Sequence, residues 1–465
     1  MKRTVTPEEA ARQRGYIEEI KDLIASRYTA PLAFVDTYGC QQNEADSEKI
    51  RGMLREMGYG FTENEAEADV IVINTCAVRE HAQQRVLGNV GALVHTKRSH
   101  EGQIIAVCGC MVQQPTVADT IKNSYRHVDL VFGPHELWRF PELLLRRLKV
   151  KKRIFMAEPS DGVLCEGMPS LRKEGVKAWL PIMQGCNNFC SYCIVPYVRG
   201  REMSRTPDAV IDEAKELIAL GKKDITLLGQ NVNSYGTGTD VDFPELLKRC
   251  SQLEGDFILR YMTSHPKDAS ERLFEVMASS EKIAKHIHLP FQCGNNRVLD
   301  VMNRRYTREH YMELVQTARS YMPELVITSD VIVGFPGETE EEFNDTLELV
   351  RDVRFDSLFI FIYSPRVGTP AAKMPDPFTH AQKVERLNRL TALQDAISME
   401  KNDACVGKVE RVLVDGLTSE GDWKYTARTS GNRLVHMNGP DGLIGNFTEV
   451  KITGDSSWCL FGETL

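Results

Sequence analysis

No run of this 465-residue chain approaches the roughly 20 consecutive apolar residues that a membrane-spanning helix needs. The opening, MKRTVTPEEAARQRGY, carries basic residues with no apolar segment behind them, so a secretory signal is not expected and a cytoplasmic protein is. A surplus of positive charge is missing as well: 57 Lys and Arg stand against 65 Asp and Glu, a net −8. That balance argues against sequence-blind coating of DNA, while leaving room for local basic patches. Internal repeats and low-complexity segments are also absent. What is present, 42% hydrophobic and 26% charged residues, is ordinary globular composition, and the length predicts about three domains.

Cysteine is the abundant exception, with twelve in the chain. A reducing compartment does not sustain a disulfide scaffold, so clustered cysteines point to metal or redox work and isolated ones to small buried hydrophobes. From residue 31 strands and helices alternate. LAFVDT (32–37), VIVIN (70–74), IIAVCG (104–109) and VDLVFG (128–133) read as strands, with helices over Asp46–Met57, Arg79–Val94 and His135–Leu148 between and after them. This predicts an α/β, doubly wound parallel-sheet domain over 31–150. Residues 151–177 lack periodicity and read as a linker. A second alternation over 178–401 has six strand candidates, at 179–183, 225–229, 257–262, 286–290, 326–334 and 357–364, and predicts a partial β/α barrel closed by a long helix from Ala381 to Lys401. From 402 to 465 short strand-like runs are split by Gly, Asn and Asp, the pattern of a small antiparallel β-barrel.

Cys186-Asn-Asn-Phe-Cys190-Ser-Tyr-Cys193 is a C-x3-C-x2-C run in a loop at the start of the predicted barrel. Three thiolates in one turn can hold three corners of a four-iron cluster, and the lack of a fourth cysteine at ferredoxin spacing leaves one iron open for chemistry. The competing reading is a zinc site, for which the loop offers no histidine. A dispersed triad follows three strands of the first domain: Cys40 in Thr-Tyr-Gly-Cys-Gln-Gln-Asn, Cys76 in Asn-Thr-Cys-Ala-Val-Arg-Glu, and Cys110 in Cys-Gly-Cys-Met-Val-Gln-Gln. Neighbouring parallel strands end on one edge of a sheet, so these three can meet there. Cys108 should point away from Cys110 and pack.

The C-x3-C-x-aromatic-C loop opening a β/α barrel resembles the radical S-adenosylmethionine superfamily. Two cysteine triads, an N-terminal α/β domain and a C-terminal β module together resemble its methylthiotransferases. FVDTYGCQQNEADSEKI, NTCAVREHAQQRVLG, YMTSHPKD, HLPFQCGNNRVLDVMNRRYTREHY, DVIVGFPGET and YSPRVGTPAAKMP carry the resemblance, which is strongest to the branch acting on N6-isopentenyladenosine beside the anticodon of tRNA. It implies a 4Fe-4S cluster on Cys186, Cys190 and Cys193, an auxiliary iron–sulfur cluster on Cys40, Cys76 and Cys110, and S-adenosylmethionine as both methyl donor and radical source. Aromatic C2–H of adenine is not acidic enough for a base at neutral pH, which is why a radical is needed. The alternatives are the same chemistry on N6-threonylcarbamoyladenosine or on a ribosomal protein and, from another class, a zinc-stabilised RNA-binding protein without catalysis.

By the same resemblance, the residues expected to hold S-adenosylmethionine stand at or near the strand ends: Gln230, Asn231, Asp330, Val333, Gly334, Tyr363 and Arg366. Gly334-Phe-Pro-Gly-Glu-Thr lacks the Gly-Lys-Ser/Thr of a phosphate loop and reads as a turn and helix N-cap. Cys293 replaces the family's usual serine and is expected to pack. Residues 402–465 resemble the TRAM module, an RNA-binding barrel, although six Lys/Arg face nine Asp/Glu there. The expected RNA contacts are Arg199, Arg304, Arg305, Trp423, Arg428 and Arg433, with Trp458 in the barrel core. A tRNA anticodon stem-loop, a reductant such as flavodoxin or ferredoxin, and a monomeric state complete the expectations.

Overall fold

The computed structural model describes residues 3–26, 29–77, 80–158 and 160–465. Val78 and Arg79, within the Cys76 motif and at the expected start of its helix, lie outside the described residues; the helix runs Glu80–Ser99. The chain divides into two compact units: 1–173 with 183–187 and 194–205, and 174–182 with 188–193 and 206–465.

The first unit is built on six parallel strands: β1 (Leu32–Tyr38), β2 (Gly60–Phe61), β3 (Val70–Thr75), β4 (Ile104–Gly109), β5 (Leu130–Phe132) and β6 (Ile154–Met156). Their order is β2-β1-β3-β4-β5-β6. Every residue of β3 and β4 is buried. Alternate side chains feed opposite layers, with Val70, Val72, Ala106 and Cys108 on one face and Ile71, Ile73, Ile105 and Val107 on the other. Two covered faces explain why these strands read as unbroken apolar runs. Helix Pro7–Ala25 starts in a capping box of Thr6 and Glu9 and buries Ile17, Ile20 and Ile24 in the first of those layers.

The segment expected to be a linker adds β6 to the edge of this sheet, paired with β5, and the unit continues to Lys173. Three residues are too few to show a period, so neither β6 nor the two-residue β2 was legible.

In the second unit β7 (Lys177–Pro181), β8 (Asp224–Leu228) and β9 (Ile258–Tyr261) form one parallel sheet, and β10 (His286–His288), β11 (Val326–Val333) and β12 (Ser357–Ile362) another. An isolated bridge joins Leu259 of β9 to Ile283, in the segment that leads into β10. These are the six expected barrel strands. Helix Pro207–Ala219 stops before Gly221, whose φ is +80°. Helix His380–Asp403 covers β12, and Thr339 caps helix Glu340–Val353 through a capping box with Glu342.

Five antiparallel and parallel pairings close the C-terminal barrel: β13 (Val409–Leu417), β14 (Tyr425–Thr429), β15 (Leu434–Asn438), β16 (Phe447–Asp455) and β17 (Leu460–Thr464), in the order β13-β14-β15-β17-β16. Val412, Val414, Tyr425, Val435 and Ile452 fill it. Trp458, expected in this core, is instead 76% exposed: it sits in the tight Ser456–Cys459 turn before β17 and projects outward. The β14–β15 turn docks on the partial barrel. Arg260 donates to the carbonyls of Thr429 and Ser430 at 3.1 and 3.0 Å, and a Cβ on Gly431 would come within 2.4 Å of Val326 Cγ2. Only glycine permits that approach. Among the described residues no helix is long and apolar enough to cross a membrane.

Candidate metal centres and cofactor site

In the first unit β1, β3 and β4 end in register, Tyr38 beside Thr75 and Thr75 beside Gly109. Cys40, Cys76 and Cys110 follow those ends directly. Gly109 turns the chain with φ +97°, and a Cβ there would lie 2.3 Å from the Thr75 carbonyl. Cys110 N–H then donates to that carbonyl at 2.8 Å. Asn43 Nδ2 reaches Asn74 Oδ1 and the Thr75 carbonyl, both at 3.1 Å, while Asn74 Nδ2 donates back to the Asn43 carbonyl at 2.9 Å. These two asparagines, one from each of two motifs, lock the Cys40 and Cys76 turns together.

Cys40 is exposed, whereas Cys76 and Cys110 are buried. A hydrogen bond from Cys76 and the nearby Arg199 guanidinium bring the Cys40 thiol down to about 6. Burial pushes Cys110 up to about 11, against the pull of the same arginine. Arg199 Nε stands 3.1 Å from Cys110 Sγ, and its Nη2 donates to Asp46 at 2.8 Å. Cys108 is fully buried and packs in the sheet layer, as expected. Among the described residues no three Cys, His, Asp or Glu side chains converge on one point as the ligands of a single ion. A four-iron cluster makes no such demand, because each thiolate takes a different iron and the sulfurs stay apart. An all-thiol donor set with a cation beside it fits such a cluster.

The Cys186–Cys193 loop follows strand Met183–Gln184. In the second unit it is held from three directions. Asn303 Nδ2 donates to the carbonyls of Asn188 and Phe189 at 3.2 and 2.9 Å, Ser191 N–H donates to the Met302 carbonyl, and Ala371 N–H donates to the Ser191 carbonyl. Arg304 Nη1 lies 3.4 Å from Cys190 Sγ.

Several buried polar atoms have no partner among the described residues: Ser191 Oγ in the cysteine loop and, past the barrel strands, Asn231 Oδ1, both side-chain atoms of Asn233, Ser264 Oγ, His265 Nε2 and Tyr363 Oη. Burying a polar group unpaired costs about 1–3 kcal/mol, so each of these atoms could take a hydrogen bond from a bound molecule. Asn231 is held by Asp268 at 2.7 Å. Gln230 precedes it at the end of β8, half-buried. Asp330 is half-buried on β11, 3.5 Å from His288. Val333 is fully buried and can offer only backbone, and Gly334 N–H donates to Glu338 at 2.9 Å. Arg366 is half-buried beyond β12, donating to Ser364 Oγ. Ser191, Asn233, Ser264 and His265 were not singled out from the sequence; Ser191 lies inside the cysteine motif, and the other three follow barrel strands. Cys293 is 1% exposed between Glu338 and Thr346, a packed thiol, as expected.

Two of the expected RNA contacts are corrected outright. Arg199 and Arg304 are 5% and 4% exposed, each spent on a cysteine sulfur, and neither reaches solvent where a phosphate would lie. Arg433 is committed to Asp356 and Asn402 within the chain. Trp423 is half-buried and stacks on Phe461 with centroids 5.3 Å apart. Arg428 is half-buried beside Asp415, and Arg305 is exposed.

The radical SAM superfamily profile matches residues 180–350, the profile of the uncharacterized protein family UPF0004 matches 33–133, and the TRAM domain matches 403–465. Among solved structures, the radical S-adenosylmethionine methyltransferase TsrM from Kitasatospora setae aligns with a TM-score of 0.56 at 13% identity, over 85% of this chain and 82% of that one. The cobalamin-dependent radical enzyme OxsB aligns with a TM-score of 0.51 at 11% identity, over 79% and 56%. Both speak to the fold alone. Among curated proteins, tRNA-2-methylthio-N(6)-dimethylallyladenosine synthases are similar over nearly their full length. The Acetivibrio thermocellus protein is 48% identical, covering 99% of this chain and 97% of the relative. That of Clostridioides difficile is 46% identical over 99% and 98%. With identity of this order from end to end, the chain belongs to the family of tRNA-2-methylthio-N(6)-dimethylallyladenosine synthases.

Proposed function

We propose that this protein is a radical S-adenosylmethionine methylthiotransferase that converts N6-isopentenyladenosine next to the anticodon of tRNA to its 2-methylthio derivative. The observation that carries this reading is the meeting of Cys40, Cys76 and Cys110 at adjacent strand ends, in a chain that also has the Cys186–Cys193 loop. When bound, the two iron–sulfur clusters supply one-electron chemistry at the second triad and a sulfur species at the first.

The chain's own residues hold and orient. Cys186, Cys190 and Cys193 hold one cluster, and Cys40, Cys76 and Cys110 the other. Gln230, Asn231 and Tyr363 take the polar groups of S-adenosylmethionine, while Asp330, the Val333–Gly334 backbone and Arg366 flank its adenosine. The buried, unpartnered oxygen of Asn231 and hydroxyl of Tyr363 support this assignment. Arg305, Arg428 and Trp423 are the chain's candidates for the anticodon stem-loop, by phosphate contact and stacking. The unit that runs on to Lys173 carries the auxiliary cluster, the partial barrel the radical chemistry and residues 402–465 the RNA contacts. A flavodoxin or ferredoxin supplies electrons to a monomeric, cytoplasmic enzyme.

Iron and acid-labile sulfide quantitation on anaerobically purified protein tests the cofactor assignment, and stoichiometric zinc in place of iron refutes it. Mass spectrometry of tRNA nucleosides from cells lacking the protein tests the substrate. Loss of 2-methylthio-isopentenyladenosine, with its unthiolated precursor accumulating, is the expected result.

A further inference from the structure

Each cysteine triad has one buried arginine on one of its sulfurs, and the two arginines differ in what neutralises them. Arg199 lies 3.1 Å from Cys110 Sγ and donates at 2.8 Å to Asp46. Asp46 is itself fixed by Gln42 Nε2 at 3.3 Å. Arg304 lies 3.4 Å from Cys190 Sγ, and its other partners are neutral: the hydroxyls of Tyr306 and Tyr192 at 3.4 and 3.5 Å and the Pro290 carbonyl at 2.6 Å. Among the described residues no carboxylate pairs with Arg304.

Reduction adds one negative charge to an iron–sulfur cluster. Nearby positive charge and hydrogen bonds to its sulfurs therefore raise its reduction potential, and negative charge lowers it. Away from solvent such effects are screened little. A lone guanidinium favours the reduced state fully. One that shares its charge with a carboxylate at hydrogen-bond distance does so only weakly.

We propose that Arg304 and the Arg199–Asp46 pair set the two clusters' reduction potentials apart: uncompensated Arg304 draws the incoming electron to the Cys186–Cys190–Cys193 site, while Asp46 keeps the Cys40–Cys76–Cys110 site oxidised. Both arginines are positioning residues, acting through the cysteines. The inference rests on both triads being cluster ligands, as proposed above. The electron count is simple. A flavodoxin- or ferredoxin-type donor loses one electron, one site gains it, and no bond changes in that step. The sorting matters because cleavage of S-adenosylmethionine consumes an electron at one site only.

The test is an EPR-monitored redox titration of anaerobically reconstituted full-length protein, with each cluster isolated by replacing the other triad's cysteines with Ala. Arg304→Gln should lower the potential of the Cys186–Cys190–Cys193 cluster, by about 59 mV for each tenfold loss in the one-electron equilibrium constant, and at least tenfold is expected. Arg304→Lys, which keeps the charge, should lower it less, and it reads the same sign if the Gln variant does not assemble. Asp46→Asn should raise the potential of the other cluster by a comparable factor. Two assembled clusters with unmoved potentials, or an equal shift of both clusters in either variant, overturn the inference alone. Unsubstituted protein that does not assemble two clusters overturns the ligand assignment beneath it.

Discussion

Arg433, at the start of β15, donates to the Asp356 carboxylate just before β12 at 2.6 Å, tying the C-terminal barrel to the β/α barrel. Asp356 is buried and also accepts from Lys401 at 3.1 Å and from the Ile327 N–H at 2.8 Å. One carboxylate thus joins a barrel strand, the long helix and the C-terminal module. Removing one partner of such a pair leaves a buried charge unpaired. Asp356→Ala should cost about 3 kcal/mol, read as a drop in the urea midpoint. A double-mutant cycle with Arg433→Ala should give a coupling energy well above that of an exposed ion pair.

The two triads predict separable defects. Replacing Cys186, Cys190 or Cys193 with Ala should abolish reductive cleavage of S-adenosylmethionine. Replacing Cys40, Cys76 or Cys110 should leave cleavage measurable and end thiolation, as followed by 5′-deoxyadenosine and nucleoside assays. Equal loss of cleavage in both sets would contradict the division of labour.

Tyr363 offers a test of the cofactor site that opposes stability to binding. Its hydroxyl is buried with no partner among the described residues. Tyr363→Phe should therefore leave thermal stability unchanged or raise it by up to about 1 kcal/mol, while weakening S-adenosylmethionine about tenfold by equilibrium dialysis. A hydroxyl that serves only packing would leave binding untouched.

Buried histidines make the fold acid-sensitive. Burial, with Arg260, His288 and Arg433 nearby, pushes His286 down to about 3 from 6.5. Between those values the unfolded chain takes up a proton that the folded one refuses. Stability therefore rises with pH through that window and is lost on acidification, by about 2 kcal/mol at pH 5 from this residue. His286→Asn should flatten the fall in melting temperature between pH 7 and 5.

Cys293→Ser should be tolerated, with thiolation retained and melting temperature little changed. The thiol is buried, and Thr346 Oγ1, 3.6 Å away, can hydrogen-bond a hydroxyl as well.

Much of the site was legible because its chemistry is local. Cys186, Cys190 and Cys193 must lie in one turn to share a cluster, so their spacing is written in the chain. Cys40, Cys76 and Cys110 share the same place in three βα units, and strand periodicity carries that place into space. The six barrel strands were visible for a related reason: β/α alternation repeats a short-range pattern. Residues 154–156 were not, since three residues have no period.

The sequence by itself determined which side chains could bind metal and on which sheet edge they would gather, because ligand type and strand register are properties of short stretches. The tertiary structure alone decided where the arginines went. Arg199 and Arg304 look like phosphate contacts in a basic stretch, yet burial turns each onto a sulfur, and among the described residues only one of them meets a carboxylate. Trp458 was sent outward by the turn that Ser456 closes, its hydroxyl accepting from the N–H groups of Trp458 and Cys459. Burial and the pairing of charge depend on residues far apart in the chain, and no local pattern records them.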